Sequence, residues 1–171
     1  MSLMLANSLA NGVKAKTAVV EYNEHNQYLE IYKEVKSDDV SMKRFSYCGV
    51  DFYRNIREEE LSEIIADKYD YVIMDMQYEQ PFAMKELLRS DVRIIVAGLN
   101  LWQIGAFKTF LKNEHKCLDL YRFTAHCCNA EFAKAIYKEY CVKVKEIPTE
   151  LNPFKISSQG FYVILHLAGL L

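Results

Sequence analysis

The chain has 171 residues, of which 51% are hydrophobic and 26% are charged, and its net charge is −2. That length fits one domain, residues 1–171, with a sizeable core, and the near-neutral charge argues against a general nucleic-acid or membrane-surface binder. With only 6 glycines and 3 prolines, the composition favours a compact α/β protein over a loop-rich β-sandwich.

The cysteine pattern and the amino-terminal residues bear on the cellular compartment of the chain. There are 5 cysteines, an odd number, and none forms a C-x-x-C pair, which is typical of reduced thiols and not of a disulfide framework. Residues 1–12 lack the basic leading region of a secretion signal. No apolar run reaches the roughly 18 residues that span a bilayer. We therefore expect a cytoplasmic chain without a transmembrane segment.

The hydrophobic pattern alternates between the periods of a strand and of a helix. It predicts strands at 16–22, 44–48, 51–54, 71–75, 92–97, 118–125 and 142–147, and helices at 3–10, 26–35, 57–68, 81–88, 100–114 and 129–140. The two strands around Gly49 are predicted to form either a small antiparallel hairpin or two short edge strands. Asn129 is predicted to cap the helix that follows it. Strands that alternate with helices imply βαβ crossovers. The predicted fold is therefore a three-layer α/β domain, a mostly parallel sheet with helices on both faces.

The end of the chain is compatible with two structures. Ser157 or Ser158 is a suitable cap for a helix that runs to about residue 170. The run 161–167, Phe-Tyr-Val-Ile-Leu-His-Leu, is also rich enough in β-branched and aromatic residues to form a buried strand. Periodicity alone does not separate a short buried helix from a strand, although the helix is favoured.

The most informative segment is 69–75, Tyr-Asp-Tyr-Val-Ile-Met-Asp. It is predicted to be a fully buried strand that ends on a carboxylate at the edge where open α/β sheets bind ligands. In phosphate-handling proteins an Asp at that position holds magnesium or its water. However, the chain contains neither G-x-x-x-x-G-K-[ST] nor G-x-G-x-x-G. Asp75 is either part of an incomplete nucleotide site or a structural acid that caps a neighbouring turn.

Several segments, taken in order and spacing, resemble the ParA/MinD-type P-loop ATPases, the deviant Walker A group. The resemblance covers nearly the whole chain and rests on residues 4–10 with 16–21, 69–75, 91–97 with 101–102, and 147–148 with 152–154. Segment 69–75 is similar to the family's Walker B strand. The resemblance implies a P-loop NTPase-like, Rossmann-like fold.

The resemblance also implies roles for three residues. Asp75 would be a magnesium ligand and part of the nucleotide site, Glu21 would support magnesium or the attacking water, and Pro148 would lie near the adenine pocket. The family's first strand, phosphate loop and signature lysine have no counterpart in this chain. We therefore expect no catalytic residue, no bound cofactor and no ATP hydrolysis, although an intact member would use Mg-ATP.

The missing loop has two explanations, a natural loss or an amino-terminal truncation of a longer protein. In either case the resemblance implies a regulatory or positioning role, and in an intact parent an ATP-dependent dimerising switch, so the expected partner is a second copy or another protein. Our hypothesis is that the apolar run 161–167 fills the place of the missing strand, as a strand or as a helix, from the same chain or from a neighbouring copy. The alternative function is a non-catalytic, receiver-like interaction domain in which Asp75 is a phosphoacceptor or a relic.

Two other groups of residues invite a functional interpretation. His126 beside Cys127 suggests a Cys–His nucleophile, but no orienting third group or oxyanion donor is evident. The aromatic residues between positions 28 and 53 are expected to cover the sheet more readily than to form a stacking surface. They are Tyr28, Tyr32, Phe45, Tyr47, Phe52 and Tyr53.

Overall fold

The computed structural model describes residues 1–35, 42–78, 81–126 and 128–171. They form two compact units, Met1–Leu87 and Leu88–Leu171; the single domain expected over residues 1–171 stays a prediction. The first unit contains α1 (Ser2–Asn7), a π-helical turn (Ser8–Val13), β1 (Thr17–Tyr22), α2 (Gln27–Val35), β2 (Arg44–Tyr47), β3 (Val50–Tyr53), α3 (Glu58–Ala66), β4 (Tyr71–Met76) and α4 (Pro81–Arg89), whose last residues cross into the second. The second contains β5 (Ile94–Ala97), α5 (Ile104–Asn113), a 3₁₀ turn (Leu118–Leu120), β6 (Arg122–His126), α6 (Ala130–Tyr140), β7 (Val144–Ile147) and α7 (Ser158–Ala168).

Strands β1 to β4 form one sheet in the order β2-β3-β1-β4. Strand β1 pairs in parallel with both β3 and β4, whereas β2 is antiparallel to β3. Because β1 has a neighbour on each side, all six of its residues are buried. Its sequence, with Val19 and Val20 fully enclosed, suits that central position.

Strand β4 differs from the sequence prediction. It was expected to be fully buried, but all six of its residues are only half-buried. The reason is its place in the sheet, since β4 is an outer strand that pairs only with β1 within the part of the chain that the structure describes. An apolar strand at the edge of a sheet leaves one row of backbone groups without a ladder partner.

The hairpin of β2 and β3 is confirmed, with Tyr47 paired to Val50. Its two-residue turn, Cys48-Gly49, has positive φ at both positions, 48° and 76°, as the primed hairpin turns require. Phe52 on β3 stacks on Phe45 of β2 with ring centroids 4.8 Å apart. Tyr28 meets Phe52 edge-on at 5.5 Å. These aromatic residues cover the sheet as predicted.

Strands β5, β6 and β7 form the parallel sheet of the second unit, with β6 in the centre. Asn129 caps α6 as predicted, because its side chain accepts the backbone N–H groups of Glu131 and Phe132 at 2.9 and 3.3 Å. The helix predicted from residue 100 begins only at Ile104, and Trp102 in the preceding turn is 82% exposed. The predicted strand at 118–125 is replaced at its start by the 3₁₀ turn.

The end of the chain is a helix, and the strand alternative is wrong. Ser157 caps α7 by accepting the backbone N–H of Gly160 at 3.1 Å, and Gly169 ends the helix in the left-handed conformation. The helix packs on β7, the outer strand of the sheet of its own unit. The hypothesis that run 161–167 of this chain fills the place of the missing strand is therefore wrong, because the run is part of α7 and α7 contacts that outer strand.

The predicted three-layer α/β class with mostly parallel strands is confirmed, although the strands divide into two sheets. Four of the cysteines, Cys48, Cys117, Cys128 and Cys141, carry free thiols. Cys127 lies outside the described residues, and so does the Cys–His pair suggested for it. Within the described ranges, no helix has the length and apolar character to cross a membrane.

Candidate functional site

Two acidic side chains stand together at the carboxyl edge of the first sheet. Glu21 near the end of β1 is the register partner of Asp75 near the end of β4. Adjacent parallel strands present their carboxyl ends at one edge, which is where α/β sheets bind ligands. The structure thus brings together two of the three site residues that the sequence predicted.

Glu21 is directed into the protein and binds the beginning of a helix. The residue is only 2% exposed, and its Oε1 accepts the backbone N–H of Tyr28 at 3.1 Å. Tyr28 is the second residue of α2, so this N–H belongs to the first turn, where helical N–H groups lack an intrahelical acceptor. A carboxylate is favoured there by the helix dipole. The carboxyl group of Glu21 therefore occupies the place at the start of α2 that would otherwise suit an anionic ligand.

Asp75 binds the same residue through the tyrosine hydroxyl. The Tyr28 hydroxyl donates to Asp75 Oδ2 at 3.0 Å, and Asn23 Nδ2 donates to the Asp75 backbone carbonyl at 3.0 Å. Tyr28 is 1% exposed and links both acids. Sequence reasoning had assigned Tyr28 only to the core. The available signal was its position seven residues after Glu21, in the first turn of the next helix.

Burial raises the pKa of two residues in this cluster, Glu21 and Tyr28. It raises the pKa of Glu21, an effect that the N–H of Tyr28 partly opposes and the nearby charge of Asp75 reinforces. The second oxygen, Oε2, is buried and has no hydrogen-bond partner among the described residues. Burial, followed by the charge of Asp75, also raises the pKa of Tyr28 above its usual value. The tyrosine consequently stays protonated and serves as a donor.

The two acids do not fit a Mg-ATP complex by themselves. Magnesium in nucleotide sites is held by one or two carboxylates together with phosphate oxygens, and the chain has no glycine-rich loop to bring those phosphates in. One oxygen of Glu21 is already used by α2. No group of three or more His, Cys, Asp or Glu side chains suited to a metal occurs in the described ranges. The metal role of Asp75 stays a prediction.

Pro148, the third predicted site residue, belongs to the second unit. It directly follows β7 and is half-buried. A proline cannot donate to a ladder, so it is well placed to end the strand. Its proximity to an adenine pocket stays a prediction.

Glu21→Gln tests the electrostatics of the cluster. Because burial raises the pKa of Glu21 in the folded state, wild-type stability should fall as pH rises through that pKa, when the buried side chain ionises. A neutral glutamine of the same shape avoids that cost. We expect the variant to gain about 1 kcal/mol, or a few degrees in Tm, at pH 8 and little at pH 4.

Thermal unfolding followed by circular dichroism between pH 4 and pH 8 measures this difference. Glu24→Gln is the matched control, since Glu24 is exposed two residues after β1. Equal pH profiles for wild type and Glu21→Gln would contradict the assigned burial effect.

The chain was compared with known proteins. No protein-family model matches it, and no curated protein matches it in sequence. Several solved structures share its fold, and three of them each match most of this chain. MinD cell division protein of Aquifex aeolicus is 14% identical with a TM-score of 0.62, over 98% of this chain and 92% of that one.

The other two structures match the chain at the same low identity. A plasmid partition protein from Borrelia burgdorferi is 14% identical with a TM-score of 0.62, over 99% of this chain and 89% of that one. The MinC:MinD cell division protein complex of Aquifex aeolicus matches at 14% identity and a TM-score of 0.57, over 88% of this chain and 76% of the matched chain. At such low identity the likeness shows the fold alone. The chain thus has a ParA/MinD-like, P-loop NTPase-like fold.

Proposed function

We propose that the chain is a ParA/MinD-like domain that does not hydrolyse ATP and has a regulatory or positioning role through a protein partner. The shared fold supports the first part of this proposal. We also propose that the chain functions without a bound nucleotide cofactor. The site at the ends of β1 and β4 supports the loss of activity.

One observation carries the proposal. Both acids at the sheet edge are engaged with Tyr28, Glu21 through the helix N–H at 3.1 Å and Asp75 through the hydroxyl at 3.0 Å. In an anion site, the N–H groups at a helix start would face phosphate. Here the N–H of Tyr28 binds a carboxylate, which would repel a triphosphate.

Phosphoryl transfer also requires groups that this sequence lacks. Catalysis depends on a phosphate cradle, a lysine and a metal that together stabilise charge on the transferring group. No residue here corresponds to the loop or its lysine. The two acids alone therefore give no means of stabilising the transition state.

An exposed apolar pair in the second unit supports the protein-partner part of the proposal. Leu101 and Trp102 are 79% and 82% exposed in the turn before α5. Neighbouring exposed apolar side chains mark interaction sites, and tryptophan is among the residues that dominate binding energy at interfaces. One solved structure of the same fold contains MinD in complex with MinC. Whether the partner of this chain is a second copy or a different protein stays a prediction.

The receiver-like alternative is not favoured. A phosphoacceptor must reach a phosphodonor in solvent, whereas Asp75 is half-buried and one of its oxygens accepts the hydroxyl of Tyr28. The shared fold with MinD and a partition protein also points away from it.

Isothermal titration calorimetry with Mg-ATP tests the proposal. We expect no saturable nucleotide binding at the ends of β1 and β4, so any heat of mixing should be the same in the wild type and in Asp75→Asn. Phosphate release should be no faster than in a protein-free blank. The physical reason is that two acids without a cradle repel the triphosphate. Asp75→Asn is the matched control, because it keeps the shape of the side chain and removes its charge.

The decisive outcome is the response of that variant. Micromolar binding in the wild type that Asp75→Asn abolishes would show that the site is intact and would sink the proposal. The same heat of mixing in both proteins, with unchanged circular dichroism, is the expected result.

A further inference from the structure

The second unit contains a cavity of about 980 Å³ at the amino ends of β6 and β7. The end of α7, α6 and the segment after α5 complete its walls. The volume is at the upper end of the range for small-molecule sites. Open α/β sheets usually bind ligands at the carboxyl ends of their strands. The cavity therefore lies at the opposite edge of its own sheet, and none of its lining residues belongs to the acidic cluster of Glu21, Tyr28 and Asp75.

The cavity is cationic. Arg122, Lys143 and Lys145 line it, and Asp119 is its one acidic side chain. Arg122 begins β6 and Lys143 directly precedes β7, so the register that pairs Phe123 with Val144 places the two cations side by side. Within the described residues, no carboxylate forms an ion pair with any of the three. Grouped cations that outnumber the acidic side chains around them favour an anionic ligand.

Arg122 is held in place by the end of α7. Its Nη1 donates to the backbone carbonyl of Leu167 at 2.6 Å, in the last turn of the helix, where the dipole favours a cation. Glycine at position 169 leaves space for the guanidinium, because a Cβ at that position would lie 2.6 Å from Nη1 of Arg122. A guanidinium fixed through one donor keeps further N–H groups in the planar fork that suits phosphate or carboxylate.

An aromatic wall adjoins the cations. Tyr137 of α6 lines the cavity and is 51% exposed. The Lys143 ammonium lies 5.9 Å from the centroid of the Tyr137 ring. An exposed ring beside a cation can stack on a planar group while the cation binds an attached anion.

We propose that this cavity binds a small organic phosphate that carries a planar ring. A phosphate monoester brings nearly two negative charges at neutral pH, which match Arg122 and Lys143, while its ring stacks on Tyr137. The pairing of cations with an exposed aromatic ring is the feature that selects an aryl phosphate over inorganic phosphate. This site goes beyond the proposed function and does not depend on it.

Titration with phenyl phosphate, followed by calorimetry and by amide chemical shifts, tests the inference. We expect saturable binding with shifts confined to the cavity residues. Inorganic phosphate and phenol, the two halves of the probe, should each bind at least about tenfold more weakly. Lys143→Gln should weaken phenyl phosphate about tenfold, because it removes one exposed cation that makes no hydrogen bond to other described residues.

Lys138→Gln is the matched control, since Lys138 is an exposed cation of α6 outside the cavity lining. Arg122→Gln should weaken binding at least as much as Lys143→Gln, and its folding is checked by circular dichroism. The proposal is overturned if phenyl phosphate does not saturate by about 10 mM, well beyond the millimolar range of weak ligands. It is also overturned if Lys138→Gln weakens binding as much as Lys143→Gln, since the attraction would then be general to the surface.

Discussion

Phe52→Ala is expected to destabilise the Met1–Leu87 unit by about 3–5 kcal/mol. Phe52 is fully buried and lies between two aromatic partners, stacked on Phe45 and edge-on to Tyr28. Truncation removes both contacts and leaves a cavity beneath α2 that the short strand cannot close. Because Tyr28 links Glu21 and Asp75, the geometry of the acidic cluster should loosen at the same time.

Urea unfolding followed by circular dichroism gives the change in stability, and hydrogen exchange locates it. Peptides from residues 1–87 should lose protection in the variant. Ile65→Ala on α3 is the control, since Ile65 is 49% exposed and its truncation should cost well under 1 kcal/mol. Comparable losses in both variants would show that Phe52 is not a central core residue.

Ile136→Ala is expected to destabilise the Leu88–Leu171 unit by about 2–5 kcal/mol. Ile136 is the fully buried residue of α6, the helix that contributes Tyr137 to the cationic cavity. Its truncation removes the main buried anchor of that helix. A weaker attachment of α6 should also reduce phenyl phosphate binding, because the aromatic wall moves with the helix.

The same urea titration checks this prediction, with hydrogen exchange now expected to rise in peptides from residues 88–171. Lys138→Ala is the control, as Lys138 is exposed on the same helix and alanine favours a helix. Full stability of Ile136→Ala would mean that α6 is held by contacts other than this side chain.

Most secondary structure could be predicted from local pattern. The hairpin at Cys48-Gly49, the Asn129 cap and the order of strands and helices follow from turn chemistry, capping and hydrophobic period. The secondary-structure predictions were wrong at the ends of helices and strands, where neighbouring sequence signals favour different structures. Residues 100–103 form a turn before α5, because the Asn100 side chain accepts the backbone N–H of Gln103 at 2.9 Å.

The candidate sites were predictable only in part. Glu21 and Asp75 stood out as acids at the ends of apolar strands, and the parallel register of β1 and β4 brings them together. The position of Tyr28 in the first turn of the helix after Glu21 was a signal for its N–H contact, but no local pattern indicates that its hydroxyl reaches Asp75 across 47 positions of sequence. The cavity around Arg122 was missed for the same reason, since it joins the start of β6 to the end of α7.

By itself, the sequence determined which segments become strands and helices, that the class is α/β, and that no phosphate loop is present. Only the tertiary structure decided how far each strand is buried. Strands β1 and β4 are both apolar and six residues long, yet one is fully buried and the other half-exposed. The reason is that burial depends on the neighbours a strand has on each side of the sheet, and those neighbours come from distant parts of the chain.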